Sequence, residues 1–330
     1  MRVLIVGCGY VGLPLGAELA EQGHKVFGLR RSAVADAELK RARITPWHAD
    51  ISKPETLAAL PANFDWVVNC AASGGGGADE YRQLYLNGNR NLVAWLAGSV
   101  KKFIYTSSTG VYGQNDGSLV DETSSAHPTM DTAKVLVETE QLLLTAAREN
   151  NFPAMVMRVA GIYGPGRGYL LKQFLNGDAR IEGDGSRMMN MIHREDLIAA
   201  IIAGLERGQP GEIYNAADDE PVSQKDFFTW LAGVLKKELP PVIPANAEAG
   251  RKRGITNKRV SNRKLKTELN VQFRFPTFRE GYAEEIRQLQ AGDCCSTYQP
   301  ESPATASRIW LRRGQRRRHV VGKPPHVRSR

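Results

Sequence analysis

The sequence predicts a doubly wound, parallel α/β sheet, and three observations carry that prediction. The chain opens on Val3-Leu4-Ile5-Val6, four apolar residues in a row, as expected of a strand buried on both faces. A glycine-rich turn, Gly7-Cys8-Gly9-Tyr10-Val11-Gly12, follows at once and leads into a helical pattern. From there to about residue 160, strand-like apolar runs alternate with stretches of helical spacing, the signature of successive β–α–β units.

The turn has the G-x-G-x-x-G spacing. Gly7 permits the tight bend, Gly9 lets the backbone approach a pyrophosphate, and Gly12 lets the next helix pack close to the sheet. That helix, over 13–22, carries Pro14 in its first turn, where a missing N–H costs nothing. Its free N–H groups and positive dipole end face the turn, so Tyr10 and Val11 belong to an expected diphosphate cradle. A second strand over 24–29 leads to Arg30-Arg31. At this point in such a fold an acid binds a ribose 2′-hydroxyl, whereas an arginine accommodates a 2′-phosphate. Two arginines and no acid favour NADP, with NAD as the alternative.

Residues 47–51 read as a third strand, ending on Asp50 and Ile51 at the expected coenzyme edge. Asp50 either reaches the adenine or positions the turn. Ser52-Lys53-Pro54-Glu55 has capping-box spacing. The fourth strand, 65–72, ends in Ala71 and Ala72, small enough for a coenzyme to approach, and a glycine-rich loop over 73–77 follows. A helix is expected over 81–97. The fifth strand, 102–109, places Thr106, Ser107, Ser108 and Thr109 at the carboxyl edge, where open α/β sheets bind ligands. A helix over 131–147 bears Lys134, and a sixth strand over 155–159 leads to Gly161-Ile162-Tyr163-Gly164-Pro165-Gly166. These elements give a dinucleotide-binding region over 1–165. A looser alternation over 166–290, with a helix over 223–237, reads as a smaller substrate-binding region.

Composition narrows the class. The net charge is +9 over 330 residues, but residues 291–330 hold nine Lys/Arg against two acids, so seven of those charges lie there. That segment, poor in aliphatics, is expected to be a disordered basic tail. A solvated tail is the expected reading, and nucleic acid is not the expected partner despite Trp310 and Arg316-Arg317-Arg318. No apolar run has membrane-spanning length and no leader precedes the first strand, so no membrane partner and a cytoplasmic location are expected. The four cysteines have neither metal-ligand spacing nor a disulfide framework.

Thr106-Ser107-Ser108-Thr109-Gly110-Val111-Tyr112-Gly113, together with the N-terminal glycines, resembles the extended short-chain dehydrogenase/reductase family, also called the NAD-dependent epimerase/dehydratase family. Arg158, Tyr163-Gly164-Pro165-Gly166, Ile192-His193-Arg194-Glu195-Asp196 and Ile213-Tyr214-Asn215 extend the likeness over about residues 1–290. The resemblance implies a Rossmann-like fold, a nicotinamide coenzyme and a small-molecule substrate, commonly a sugar nucleotide. A homodimer is compatible with it. It also implies a Ser/Thr at Ser108 and a Tyr-x-x-x-Lys helix whose lysine falls on Lys134. Met130 then stands where the tyrosine belongs, and no tyrosine occurs between Tyr112 and Tyr163. Methionine neither donates nor accepts a catalytic proton. Thr109-Gly110 replaces the Asp-Glu pair of the family's dehydratases, which argues against dehydration.

Two functional readings follow from this atypical pattern. One is an NADP-dependent oxidoreductase or epimerase, its proton handled by Tyr112 first, then Tyr163 or His193, with Ser108 and Lys134 retained. The other is an NADP(H)-binding protein without turnover.

Overall fold

The computed structural model describes residues 1–245 and 256–292. Its first half runs β1 (Arg2–Val6), α1 (Gly12–Glu21), β2 (Lys25–Arg30), α2 (Asp36–Arg41), β3 (Thr45–His48), α3 (Pro54–Ala58), β4 (Trp66–Asn69) and α4 (Ala78–Tyr81). A π-helical stretch, Arg82–Asn87, joins α4 to α5 (Gly88–Leu96), followed by β5 (Lys102–Ser108), β6 (Asn115–Val120), α6 (Asp131–Asn150), β7 (Ala154–Val159) and β8 (Gly161–Tyr163). Next come α7 (Tyr169–Leu175), β9 (Ile181–Glu182), β10 (Met188–Met189), β11 (Met191–His193), α8 (Arg194–Arg207) and β12 (Ile213–Ala216). The described chain closes with β13 (Val222–Ser223), α9 (Gln224–Leu235), β14 (Val242–Ile243), β15 (Asn257–Val260), α10 (Arg263–Leu269) and α11 (Phe278–Gly292).

Seven strands form one parallel sheet in the order β12-β7-β5-β4-β1-β2-β3. Alternation along β1 builds both faces: Val3 and Ile5 enter one core with Leu15, Leu19 and the apolar stripe of α8, while Leu4 and Val6 enter the other with Leu92, Leu96 and Leu143. Helices therefore cover the sheet on both sides, which is the doubly wound, Rossmann-like architecture the sequence predicts. Met1–Glu285 forms one compact unit. The expected basic tail and the Cys294-Cys295 pair lie outside the described residues from 293 onward.

Three local expectations are corrected. The third strand stops at His48, and the Asp50 carboxylate instead accepts both the Ser52 amide (3.0 Å) and the Ser52 hydroxyl (2.7 Å), closing a turn. That bond removes Ser52 from the capping role: Lys53 precedes α3 and no side chain caps the helix, which starts on Pro54. The long helix expected over 81–97 begins earlier, at Ala78, and is interrupted by the π-helical stretch.

Candidate functional site

Between β1 and β4 the strand order reverses, β1 continuing to β2 and β3 and β4 to β5, β7 and β12. Such a switch point opens a crevice at the carboxyl ends of the strands. The two loops there touch: a Cβ on Gly7, whose φ is +87°, would lie 2.6 Å from the Ala71 backbone nitrogen. A Cβ on Gly12 would meet the Gly7 carbonyl at 2.4 Å, so only glycine lets α1 seat this close. Gly9 is different. Nothing lies within 4 Å of its added Cβ, leaving the backbone open to a ligand. No side chain caps α1 and no acid occupies its first turn, so its N-terminal amides stay available to an anion.

A cleft of about 590 Å³ opens over this turn. It is bordered by Gly7, Gly9, Tyr10 and Val11, by Arg30 and Arg31, by Asp50 and Ile51, and by Ala71 and Ala72. Gly12 supports it from beneath. Neither Arg30 nor Arg31 forms an ion pair or a side-chain hydrogen bond among the described residues. The volume and this mixture of glycine backbone, apolar wall and polar groups fit a dinucleotide. Ser108 also lines the cleft, and its Oγ accepts the Gly110 amide at 3.0 Å.

Lys134 is not on this cleft. Its side chain is 53% exposed and its ammonium donates to Asp131 at 2.8 Å. The residues of α6 that line the cleft are Thr132, Ala133 and Leu136. Thr132 and Leu136 are four apart and so share a face, whereas Lys134, two residues from each, points about 200° away. The cleft-facing i, i+4 pair is thus Thr132–Leu136, two positions along from the Met130–Lys134 pair expected from the resemblance. Met130 lies at the helix entry and also borders the cleft.

Tyr112 is corrected as well. It is fully buried, its hydroxyl donating to Asn215 Oδ1 (2.9 Å) and accepting from Arg158 Nη1 (2.9 Å). Arg158 in turn grips Glu140 through Nη2 (2.7 Å) and Nε (3.1 Å), and the Ser107 hydroxyl donates to Glu140 at 2.5 Å. This chain ties β5, α6, β7 and β12 together beneath the cleft. Burial pushes the Tyr112 hydroxyl up, against the lowering influence of Arg158. Tyr112 is a structural phenol.

The other two proton candidates are also withdrawn from the cleft. Tyr163 is buried, stacked on Tyr282 at 4.5 Å, and burial raises its pKa far above the ordinary value. His193 is 3% exposed, and burial lowers its pKa to about 4, so it is neutral near pH 7. Its Nδ1 accepts the Glu195 amide at 3.3 Å, serving as the cap of α8. Besides Tyr10 of the glycine turn, the phenols that line the cleft come from the α4–α5 segment: Tyr81 and Tyr85, their ring centres 4.9 Å apart. The Tyr85 hydroxyl accepts the Ser73 amide at 3.0 Å. Sequence reasoning missed this pair because helical spacing alone does not say which face meets the crevice. Cys8 and Cys70 border the cleft with thiols pushed up to about 12 by burial, so neither is a thiolate near pH 7. No metal-binding cluster occurs among the described residues, and none of their helices is long and apolar enough to cross a membrane.

The switch-point crevice and its glycine turn define a dinucleotide-binding protein of the short-chain dehydrogenase/reductase type. The chain belongs to the NAD dependent epimerase/dehydratase family, whose profile matches residues 3–217. It is 30% identical over 287 residues to protein YeeZ of Escherichia coli, covering 83% of this chain and 96% of that one. It is 25% identical over 260 residues to a decarboxylating sterol-4-alpha-carboxylate 3-dehydrogenase of Dictyostelium discoideum, covering 72% and 78% of the two chains. Among solved structures, a conserved protein of unknown function from Silicibacter pomeroyi matches with a TM-score of 0.71 at 30% identity, over 88% of this chain and 98% of that one. The UDP-glucose 4-epimerase of Thermotoga maritima shares the fold, with a TM-score of 0.75 at 22% identity over 88% and 99%.

Proposed function

We propose that this protein is an NADP(H)-dependent oxidoreductase or epimerase-type member of its family, moving a hydride between the coenzyme and a carbonyl or hydroxyl carbon of a small molecule such as a sugar nucleotide. The observation that carries the coenzyme choice is the Arg30–Arg31 pair at the end of β2, on the cleft and without a carboxylate partner among the described residues. When bound, the nicotinamide supplies the hydride. The chain's own groups hold the diphosphate at the glycine turn and offer hydroxyls to a substrate oxygen from Ser108, Thr132 and Tyr81. With no lysine among the residues that line the cleft, turnover should be slow.

A second reading, coenzyme binding without turnover, is favoured by one observation: the cleft-facing positions of α6 are Thr132 and Leu136, and Leu136 carries no ionisable group. One experiment addresses both. Fluorescence titration should show NADPH binding at least about tenfold tighter than NADH, since a charge-assisted hydrogen bond contributes roughly 1.5–3 kcal/mol. Arg30→Asp should narrow or reverse that preference, and equal affinities in the wild type would overturn the coenzyme assignment. Following NADPH absorbance against carbonyl compounds and sugar nucleotides then separates slow turnover from none.

A further inference from the structure

One guanidinium on the cleft has no role in the coenzyme selection described above. Arg167 follows the Tyr163-Gly164-Pro165-Gly166 stretch and lines the cleft. A tight turn fixes its backbone: Gly164 and Arg167 exchange hydrogen bonds of 3.0 and 2.8 Å, with Gly164 at φ +134° and Gly166 at +73°. The Lys172 ammonium braces that turn from below by donating to the Gly166 carbonyl at 3.0 Å. The Arg167 head lies 5.0 Å from the centre of the Tyr10 ring, and Tyr10 is itself part of the glycine turn. Arg194 at the start of α8 sits 4.9 Å from the same ring.

Stacking on an aromatic ring satisfies the face of a guanidinium and leaves its N–H fork free at the edges. Among the described residues the Arg167 fork has neither a carboxylate nor a hydrogen-bond acceptor. The nearby Glu285 does not neutralise it: burial raises that carboxyl's pKa, and no ion pair joins the two. A cationic fork held at the lip of a cleft whose floor is already built for phosphate is a planar, bidentate recognition element.

We propose that Arg167 is a second anion anchor of the cleft, its guanidinium meeting a phosphate-type anion above the glycine turn. The anion is either the coenzyme's diphosphate or a phosphate group of the second ligand. The inference rests on the dinucleotide occupying the glycine turn.

The test compares the wild type with Arg167→Gln and Arg167→Lys. Arg167 is exposed, so both variants should keep the wild-type melting temperature. NADPH and 2′-AMP are titrated first, the latter lacking a diphosphate; UDP is then titrated onto the NADPH-saturated protein. If the anchor serves the coenzyme, Arg167→Gln weakens NADPH about tenfold or more and leaves 2′-AMP unchanged. If it serves the second ligand, NADPH affinity holds and UDP binding falls by a similar factor. Arg167→Lys should recover only part of either loss, because a point charge cannot reproduce the fork. Unchanged affinity for both NADPH and UDP in Arg167→Gln, with wild-type binding intact, overturns the proposal. Failure of the wild type to bind NADPH would instead overturn the coenzyme reading on which it rests.

Discussion

Replacing Glu140 by alanine tests whether the polar chain beneath the cleft holds the site's walls together. Glu140 and Arg158 have side chains only 3% and 5% exposed, and they share three hydrogen bonds. Deleting the carboxylate leaves a guanidinium buried, with the Tyr112 hydroxyl as its one remaining partner among these contacts. Breaking a buried pair from one side costs about 3–5 kcal/mol, because the remaining charge has lost its compensation. The Ser107 hydroxyl also loses its acceptor, which adds to the cost. For a unit of this size 1 kcal/mol corresponds to roughly 2–4 °C, so the melting temperature should fall by about 6–20 °C. Urea unfolding followed by circular dichroism gives the free energy directly, with a lower midpoint at an unchanged slope. A loss under about 1 kcal/mol would show that water reaches Arg158 and that the pair is not buried in solution.

Three further outcomes follow from the same geometry. Tyr112→Phe should destabilise the fold by about 1–3 kcal/mol, since Asn215 and Arg158 lose a buried partner, while NADPH affinity by titration stays unchanged. Lys134→Ala should alter stability by no more than about 0.5 kcal/mol and leave NADPH affinity intact, because the side chain is exposed and paired only with Asp131. Because the folded-state pKa of His193 lies near 4, below the unfolded value of 6.5, the unfolded chain binds the extra proton between those values. Its contribution is therefore intact above pH 6.5 and lost as pH falls towards 4, and urea midpoints of His193→Gln should show a flatter acid limb than the wild type.

The sheet was legible because a buried parallel strand needs an unbroken apolar run, and Val3–Val6, Phe103–Tyr105 and Met155–Met157 supply one each. The glycine turn was legible for a steric reason: no other residue fits at Gly7 or Gly12. The edges were less readable. Asp50 ends the third strand early by capping its own turn, and period-2 patterning does not register a side chain that bonds locally. The helix register was the larger miss. The family resemblance puts Lys134 at the lysine position, but the 110–130 connection sets where α6 begins, and connection length does not reveal which face turns inward.

That register decides how the chemistry should be viewed. An α-helix repeats its faces every three or four residues, so Glu140, Leu136 and Thr132 form one row along α6. Glu140 is anchored by two partners below the cleft, Arg158 and Ser107, and Arg158 is itself held by Tyr112. An anchored Glu140 fixes the rotation of α6, with Thr132 and Leu136 on its cleft face and the Lys134 ammonium paired with Asp131 on the exposed side. An ammonium introduced at Leu136 would face the cleft without disturbing the Glu140–Arg158 pair. The proton inventory of the cleft consequently reduces to hydroxyls, with Ser108 and Thr132 too weakly acidic to act alone near neutral pH and Tyr10 and Tyr81 the phenols whose oxygens are uncommitted among the described residues.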